Sequence, residues 1–95
     1  LKFGKRFDSE FAFLKIIPTK NNHPSFSFVV SKKTAKSAVK RNTIKRRARH
    51  ITWKNIGLFK TGAAIVYFFK PGSDKLKSKE LERDILALSK KAKII

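Results

Sequence analysis

The alternation of apolar and polar positions predicts two strands in the first third of the chain. Aromatic and β-branched residues run from Phe11 to Ile17 and stop at Pro18. The stretch from Ser25 to Ser31 alternates more cleanly and is typical of a half-buried strand. Its core-facing set is predicted to be Phe26, Phe28 and Val30, and its outward set Ser27, Val29 and Ser31. Since only the polar turn Thr19 to His23 separates the two strands, the sequence favours an antiparallel hairpin.

The last third predicts one more strand and one helix. Thr61 to Lys70 contains the most apolar run of the chain and is predicted to be the central strand, ended by Pro71 and Gly72. Lys77 to Lys93 is predicted to be a helix with one buried stripe, formed by Leu81, Ile85, Leu88 and Ala92. A short leading strand near Leu1 to Arg6, with a bend at Gly4, completes a β-β-β-α-β-α order. This order predicts a single sheet with both helices on one face.

Between these parts lies a second predicted helix, from about Ser37, a plausible N-cap, to about Ile56, with Gly57 as its stop. At about 100° per residue its apolar stripe is narrow: Ile44, Ala48 and Ile51. Opposite this stripe lie Arg41, Asn42, Lys45, Arg46 and Arg49. Cations spaced four residues apart repel by a few tenths of a kcal/mol each, and no acid is near enough to offset this. The pattern therefore favours a face that a polyanion neutralises.

Composition supports the same partner class. The chain has 95 residues, which suits one domain, and a formal net charge of +18. There is no Asp or Glu between Phe11 and Ser73. The partner is therefore expected to be a nucleic acid or an anionic membrane surface. The absence of Cys excludes disulfides and thiolate metal sites, and fits a reducing, cytoplasmic location.

The ionisable residues offer no catalytic constellation. Asp8 and Glu10 could share a strand face and hold Mg²⁺, although a solvated pair is the more ordinary interpretation. His23 lies in a turn next to Pro24 and is expected to be exposed, and His50 has no carboxylate or nucleophile partner in sequence. Two isolated histidines without Cys do not make a zinc site. We therefore predict no catalytic and no metal-binding residues in the chain, which alone is expected to be inactive.

Aromatic side chains on an open sheet face suggest a second binding surface. Stacking of unpaired bases on such rings contributes about 1–3 kcal/mol per base, and a neighbouring Lys can hold the RNA backbone. The predicted surface comprises Phe11, Phe13, Lys15, Ser27 and Val29. For Phe11 and Phe13 an ordinary core position is an equal alternative. For Trp53, stacking on RNA competes with packing on the loop near Phe59.

A family resemblance lies in the segment Ser31 to Arg49. Its S-K-K followed by A-V-K-R-N-T-I-K-R-R-A-R resembles the signature of the bacterial ribonuclease P protein subunit. The matching positions are Lys32, Lys33, Ala38, Val39, Arg41, Asn42, Ile44, Lys45, Arg46 and Arg49. Thr43 replaces the Arg that usually follows Arg-Asn, and His50 stands where Glu or Gln is common.

The resemblance implies an α+β fold: a small two-layer sandwich with one mostly antiparallel sheet and helices on one face. It also implies a left-handed β-α-β crossover, as in the second domain of ribosomal protein S5. Crossovers between parallel strands are right-handed in about 98% of cases, so this hand rests on the resemblance alone. Residues 1–95 are expected to be a single RNA-binding domain that lacks the family's N-terminal helix.

The resemblance also implies a function. In ribonuclease P the RNA subunit uses Mg²⁺ to remove the 5′ leader of precursor tRNA, and the protein binds both RNAs. Contacts to ribonuclease P RNA are expected from Arg41, Asn42, Lys45, Arg46, Arg49, Lys32 and Lys33. Leader contacts are expected from the aromatic surface, and Mg²⁺ is expected to be held mainly by the RNA. The protein is expected to be monomeric in this complex.

Three other functions stay open at this stage. A ribosomal or RNA-chaperone protein would share the charge of this chain. A membrane-surface protein would need a wider apolar stripe than Ile44, Ala48 and Ile51 provide. A protein-only ribonuclease would need catalytic groups that the sequence does not offer.

Overall fold

The computed structural model describes residues 6–19, 23–60 and 62–95. Its strands are β1 (Arg6–Asp8), β2 (Ala12–Ile17), β3 (Ser25–Val30) and β4 (Ala64–Phe69). Its helices are α1 (Ala38–Lys54) and α2 (Ser78–Lys91), with short 3-10 turns at Ile56–Leu58 and Ser73–Lys75. The predicted bend at Gly4, the middle of the predicted turn at 20–22 and the first residue of the predicted strand at Thr61 lie outside the described residues.

The four strands form one mixed sheet in the order β1-β2-β4-β3. The predicted central position of β4 is confirmed, because β2 pairs with it antiparallel and β3 pairs with it parallel. The predicted hairpin of β2 with β3 is therefore wrong. A short loop favours pairing between successive strands, but inserting β4 between them covers the most apolar strand on both edges.

The predicted α+β class is confirmed, with two of the three strand pairings antiparallel. The parallel connection runs from β3 through α1 to β4. The left-handedness of this β3–α1–β4 crossover stays a prediction that rests on the resemblance.

Both helices pack on one face of the sheet and enclose the core, as the two apolar stripes predict. The buried sheet residues include Leu14, Phe28, Val30, Ile65, Tyr67 and Phe69. The buried helix residues include Ile44, Ala48 and Ile51 from α1 and Leu81, Ile85 and Leu88 from α2. Within this core the Tyr67 hydroxyl lies 2.6 Å from Ser89 Oγ, which also donates to the Ile85 carbonyl at 2.8 Å. Burial raises the pKa of Tyr67 to about 12.

The ends of α1 are held by side chains. As predicted, Ser37 is the N-cap, and its hydroxyl accepts a hydrogen bond from the Lys40 amide at 3.3 Å. The helix ends at Lys54, before the predicted Gly57, because Asn55 caps it. Asn55 Nδ2 donates to the Ile51 carbonyl and to Glu82 of α2 at 2.8 and 3.0 Å. The bond from Asn55 to Glu82, followed by the bond from Lys54, lowers the pKa of Glu82, and both bonds join α1 to α2.

Candidate nucleic-acid interface

The predicted cations of α1 lie on its exposed side and along the flank of its buried stripe. We call this surface the basic helix face and define it by Arg41, Asn42, Lys45, Arg46 and Arg49. Asn42, Arg46 and Arg49 are exposed, and Arg41 and Lys45 are half-buried. The ion pairs found across residues 6–19, 23–60 and 62–95 use other cations: Arg6, Lys54 and Lys70. The basic helix face therefore has no internal counter-charge in the described structure.

Arg41 has a structural role as well as a position on this face. Its Nη1 donates to the carbonyls of Ala35 and Lys36, at 2.9 and 2.8 Å. These bonds hold the segment before α1 against the helix. A guanidinium has five N–H donors, so Nε and Nη2 of Arg41 are left for an anionic ligand.

A tight turn after β3 presents the two predicted lysines. The amides of Thr34 and Ala35 both donate to the Ser31 carbonyl, at 3.0 and 3.2 Å. Thr34 is buried, and its hydroxyl donates to the Phe69 carbonyl at 2.9 Å. Lys32 and Lys33 are consequently exposed at the tip of the turn, beside the ends of β3 and β4. The sequence predicts the two lysines as site residues but not Thr34. Thr34 lies in a turn, where no helical or strand periodicity indicates which side chains are buried.

The register shows which side chains share the sheet face opposite the helices. One row across the sheet is Asp8, Phe13, Phe68 and Val29, and the next is Arg6, Lys15, Val66 and Ser27. Four of the five predicted leader-binding residues therefore lie together: Phe13, Lys15, Ser27 and Val29. We call this surface the open sheet face. The row that contains Phe13 ends at Val29, two residues before the turn with Lys32, so the two predicted surfaces adjoin.

Phe11 does not belong to the open sheet face. The chain bends at Glu10 and Phe11, and β2 begins only at Ala12, so the strand alternation does not extend to Phe11. Its ring lies over Gly72, 3.4 Å from the position that a β-carbon would occupy there. It also lines a depression beside α2 with Glu80 and Asp84. The expectation that Phe11 shares a face with Phe13 is therefore wrong.

A stack of three planar groups forms the centre of the open sheet face. The rings of Phe13 and Phe68 are parallel, with centroids 4.6 Å apart and planes at 6°. Arg6 Cζ lies 3.8 Å from the Phe13 centroid, and Asp8 holds this guanidinium through two bonds of 2.9 and 3.1 Å. Because β1 and β4 flank β2 on opposite sides, Arg6 and Phe68 cover opposite faces of the Phe13 ring. The outer surfaces of this stack therefore belong to Arg6 and Phe68, and the Phe13 ring lies between them.

The sequence did not indicate Arg6 or Phe68 as site residues. Phe68 lies in the apolar run that is predicted to be the central strand, and only its place in the β4 alternation distinguishes it from the buried Tyr67 and Phe69. Lys15 Nζ lies 5.7 Å from the Phe68 centroid, so this ring has a cation next to it. Arg6 belongs to a three-residue strand that has no periodic signal.

The carboxylate of Asp8, one of the two that the sequence offers as possible Mg²⁺ ligands, is paired with cations. The Asp8 oxygens accept hydrogen bonds from Arg6 and lie 3.2 Å from Lys70 Nζ, and the Arg6 bond is the largest cause of an Asp8 pKa lowered to about 2. No group of three or more His, Cys, Asp or Glu residues suited to a metal ion occurs among the residues described.

In the same part of the chain no helix is long and apolar enough to span a membrane.

Sequence comparison identifies relatives of known function. A sequence model of the Ribonuclease P family matches residues 1–93. The ribonuclease P protein component of Syntrophomonas wolfei is 33% identical over 89 residues, which cover 94% of this chain and 74% of that protein. The corresponding protein of a Pseudanabaena species is also 33% identical, over 97% of this chain and 80% of its own length.

Structure comparison finds the same fold in solved structures. A Staphylococcus aureus RNase P protein, a mutant with defective mRNA degradation activity, superposes with a TM-score of 0.88 at 20% identity, covering 97% of this chain and 77% of that one. The Thermotoga maritima RNase P protein gives a TM-score of 0.85 at 23% identity, covering 93% and 83%. With the family match over nearly the full sequence, this chain belongs to the ribonuclease P protein family, whose role is in tRNA processing with an RNA partner.

Proposed function

We propose that this chain binds the catalytic RNA of ribonuclease P and the single-stranded 5′ leader of precursor tRNA, and so assists Mg²⁺-dependent removal of the leader. The observation that carries the proposal is the basic helix face, whose cations have no internal counter-charge in the described structure. Folding such a surface costs self-repulsion, and a folded RNA relieves that repulsion by releasing counterions when it binds.

The basic helix face fits the catalytic RNA because helix α1 is a rigid rod buried along one side. Arg46 and Arg49 project from it as exposed phosphate ligands, and Asn42 offers an amide for a sugar or base edge. Arg41 adds a phosphate contact through its remaining donors. Lys32 and Lys33 extend this charge to the edge of the sheet.

The open sheet face fits a single strand because its planar groups suit unpaired bases and its cations suit the backbone. The outer surfaces of Arg6 and Phe68 are the stacking positions, and Lys15 is the nearest backbone ligand. Ser27 and Val29 are small and exposed, so they leave room for a strand to pass toward Lys32 and Lys33. A duplex has no free base faces and gains nothing from this surface.

Magnesium belongs to the RNA in this proposal. When bound there, the ion supplies the activated water and stabilises the leaving oxygen. The protein contributes by screening phosphate repulsion, which lets the RNA bind its ions at lower Mg²⁺ concentration. The isolated chain is expected to be inactive.

Reconstitution tests the proposal. The chain is combined with its cognate ribonuclease P RNA and a precursor tRNA at low Mg²⁺, and leader removal is followed by gel. We expect strong stimulation that is reduced in Arg46→Ala and retained in Lys79→Ala, a matched loss of one exposed cation on α2. Arg41→Ala is less suitable, because it also breaks the bonds to Ala35 and Lys36.

Absence of stimulation with the cognate RNA would contradict the proposal. Selective capture of ribosomal RNA by the same protein would then favour the ribosomal or RNA-chaperone alternative. Cleavage by the protein without the RNA subunit would contradict the division of labour between protein and RNA.

A further inference from the structure

A cleft lies between helix α1 and the first turn of helix α2. Its volume is about 360 Å³, and the residues that line it are Arg46, Arg47, His50, Ile51 and Ser78. Arg46 also belongs to the basic helix face, so the cleft shares a cation with the surface that is proposed to bind the catalytic RNA. Ser78, the first residue of α2, is exposed and supplies the only hydroxyl group among the described lining residues.

The cations of this cleft have no anion beside them. The polar side chains that α1 contributes are two guanidinium groups and one imidazole, and none of the described lining residues is a carboxylate. The carboxylate one turn further along α2, that of Glu82, is engaged by Lys54 and Asn55 at 3.2 and 3.0 Å. The cleft therefore brings hydrogen-bond donors and one serine hydroxyl together but holds no counter-charge for the donors.

The segment before Ser78 has a conformation that suits a modifying enzyme. Leu76 and Lys77 both have extended backbone, with φ of −77° and ψ of 142° and 161°. Arg47 Nη1 donates to the Leu76 carbonyl at 3.4 Å, which joins this segment to α1. Lysine occupies positions 75, 77 and 79, so the serine has cationic neighbours on both sides. An exposed serine after an extended, lysine-rich segment is complementary to an acidic substrate groove, as in a serine kinase that selects basic segments.

We propose that Ser78 is a phosphorylation site, and that its phosphate, held by Arg46 and Arg47, competes with RNA for the basic helix face. A separate kinase transfers the γ-phosphoryl group of a nucleoside triphosphate to Ser78 Oγ. The Oγ–P bond forms, the bond from phosphorus to the nucleoside diphosphate oxygen breaks, and the hydroxyl proton passes to a base of the kinase. This inference rests on the proposed RNA-binding function and adds a regulation of it.

The expected effect follows from the charge of the phosphate. A phosphoserine carries about −1.5 to −2 charges at pH 7, and its three acceptor oxygens suit guanidinium donors. It therefore neutralises about two cations at this edge of α1. Each phosphate contact to RNA that is lost makes the log–log salt slope shallower by about 0.9. Loss of about two contacts weakens RNA binding by about 10- to 100-fold near 0.1 M salt.

Phosphoserine incorporated at position 78 of the full chain, by an expanded genetic code, tests the effect on RNA. Association with ribonuclease P RNA is measured as a function of KCl concentration for the phosphorylated and the unmodified chain. We expect the phosphorylated chain to bind about 10- to 100-fold more weakly, with a slope that is shallower by about 2. Ser78→Ala is expected to bind like the unmodified chain, because the serine hydroxyl carries no charge.

Phosphoserine in place of Ala87 is the matched control, since it adds the same charge to α2. Ala87 is also exposed, but it lines the depression that contains Glu80 and Asp84. There we expect a weakening of less than about threefold, because salt screens a charge that touches no RNA ligand. Equal weakening at the two positions would overturn the proposal, since total charge would then explain the effect. Circular dichroism checks that each chain folds.

A phosphorus-31 NMR titration tests the pairing of the phosphate without RNA. Guanidinium neighbours stabilise the doubly charged phosphate, so its second pKa is expected to lie below the ordinary value of about 6. Arg47→Ala in the phosphorylated chain is expected to raise this pKa toward 6. An unchanged pKa in that variant would overturn the assignment of Arg47 as a ligand of the phosphate.

Mass spectrometry of the chain isolated from its own host tests whether the modification occurs. Phosphate on Ser78 in part of the population supports the proposal, and its absence from both growing and resting cells overturns it. If the unmodified chain binds no ribonuclease P RNA while the phosphate shows the lowered pKa, the proposed function and its regulation are overturned and the phosphate site is retained. If RNA binds and phosphorylation does not weaken it, only the regulation is overturned.

Discussion

The hydroxyl of Thr34 donates a 2.9 Å hydrogen bond to the carbonyl of Phe69, the last residue of the central strand. This bond joins the turn that presents Lys32 and Lys33 to the rigid middle of the sheet. It places the two lysines between the basic helix face and the open sheet face. A buried residue thus determines where two cations of the proposed RNA-binding surface lie.

Thr34→Val tests this relationship. The substitution keeps the side-chain shape but leaves the Phe69 carbonyl without its donor, so we expect a loss of about 1–3 kcal/mol in the free energy of unfolding. We also expect weaker RNA binding under conditions where the variant is folded. Urea unfolding and RNA titration measure the two effects.

Thr43→Val is the matched control, because the Thr43 hydroxyl donates only to the Val39 carbonyl within the exposed side of α1. It is expected to change stability by no more than about 0.5 kcal/mol. Equal losses in the two variants would contradict the role of the Thr34 bond.

The basic helix face predicts a steep salt dependence of RNA binding. About six phosphate contacts give a log–log slope of association constant against salt near −4 to −5. Titration with ribonuclease P RNA between about 50 and 200 mM KCl measures this slope. A slope shallower than about −2 would be incompatible with several phosphate contacts.

The stack of Arg6, Phe13 and Phe68 on the open sheet face predicts that a Phe68 substitution weakens binding of precursor tRNA only when the leader is present. In the reconstituted enzyme, Phe68→Ala removes one outer surface of the stack, so affinity for precursor tRNA is expected to fall by about 1–3 kcal/mol. Affinity for tRNA without a leader is expected to be unchanged. Phe11→Ala is the control, since Phe11 lies beside α2 and apart from the stack. The same loss in both variants would contradict this assignment of the leader surface.

The Tyr67–Ser89 pair predicts an asymmetric effect on stability. Ser89→Ala leaves the buried Tyr67 hydroxyl without a partner and is expected to cost about 1–3 kcal/mol. Tyr67→Phe is expected to cost less, about 0.5–1.5 kcal/mol, because Ser89 keeps its bond to the Ile85 carbonyl. Urea denaturation of the two variants measures the difference, and the reverse order would contradict the described hydrogen bonds.

The ion pair of Arg6 and Asp8 predicts that the stack of Arg6, Phe13 and Phe68 loses stability at acid pH. The Asp8 pKa is lowered from 3.8 to about 2, chiefly by the hydrogen bond from Arg6. The stability that this pair contributes is therefore complete above pH 3.8 and is lost as the pH falls through about 2. A carbon-13 NMR titration is expected to show the Asp8 midpoint near 2, and Arg6→Ala is expected to raise it. An unchanged midpoint in the variant would contradict the assigned cause.

The sequence predicts the elements of this fold better than their arrangement. The spacing of Ile44, Ala48 and Ile51 predicts which side of α1 is buried, because helical periodicity is a local property. The pairing of β2 with β4 depends on residues far apart in the chain, so the short loop before β3 suggests the wrong neighbour. The apolar periodicity of a strand does not predict which other strand it pairs with.

The candidate site shows the same division. The exposed cations of α1 follow from the helical pattern once the buried stripe is known. The stack of Arg6, Phe13 and Phe68 does not, since it is assembled from three strands and depends on their order. Phe11 was misplaced for a related reason, because strand alternation holds only within the bounds of β2.

The central position of β4 has a consequence for how the chain acquires its structure. Each β4 residue finds its neighbours on strands that precede it by about 40 residues or more, so β3 stays without its partner until the chain beyond α1 has been made. Of the three strand pairings in the described structure, only β1–β2 can form early during synthesis. Sheet closure and the burial of α1 are therefore expected to be late, concerted steps, after which the cationic helix first becomes a fixed surface.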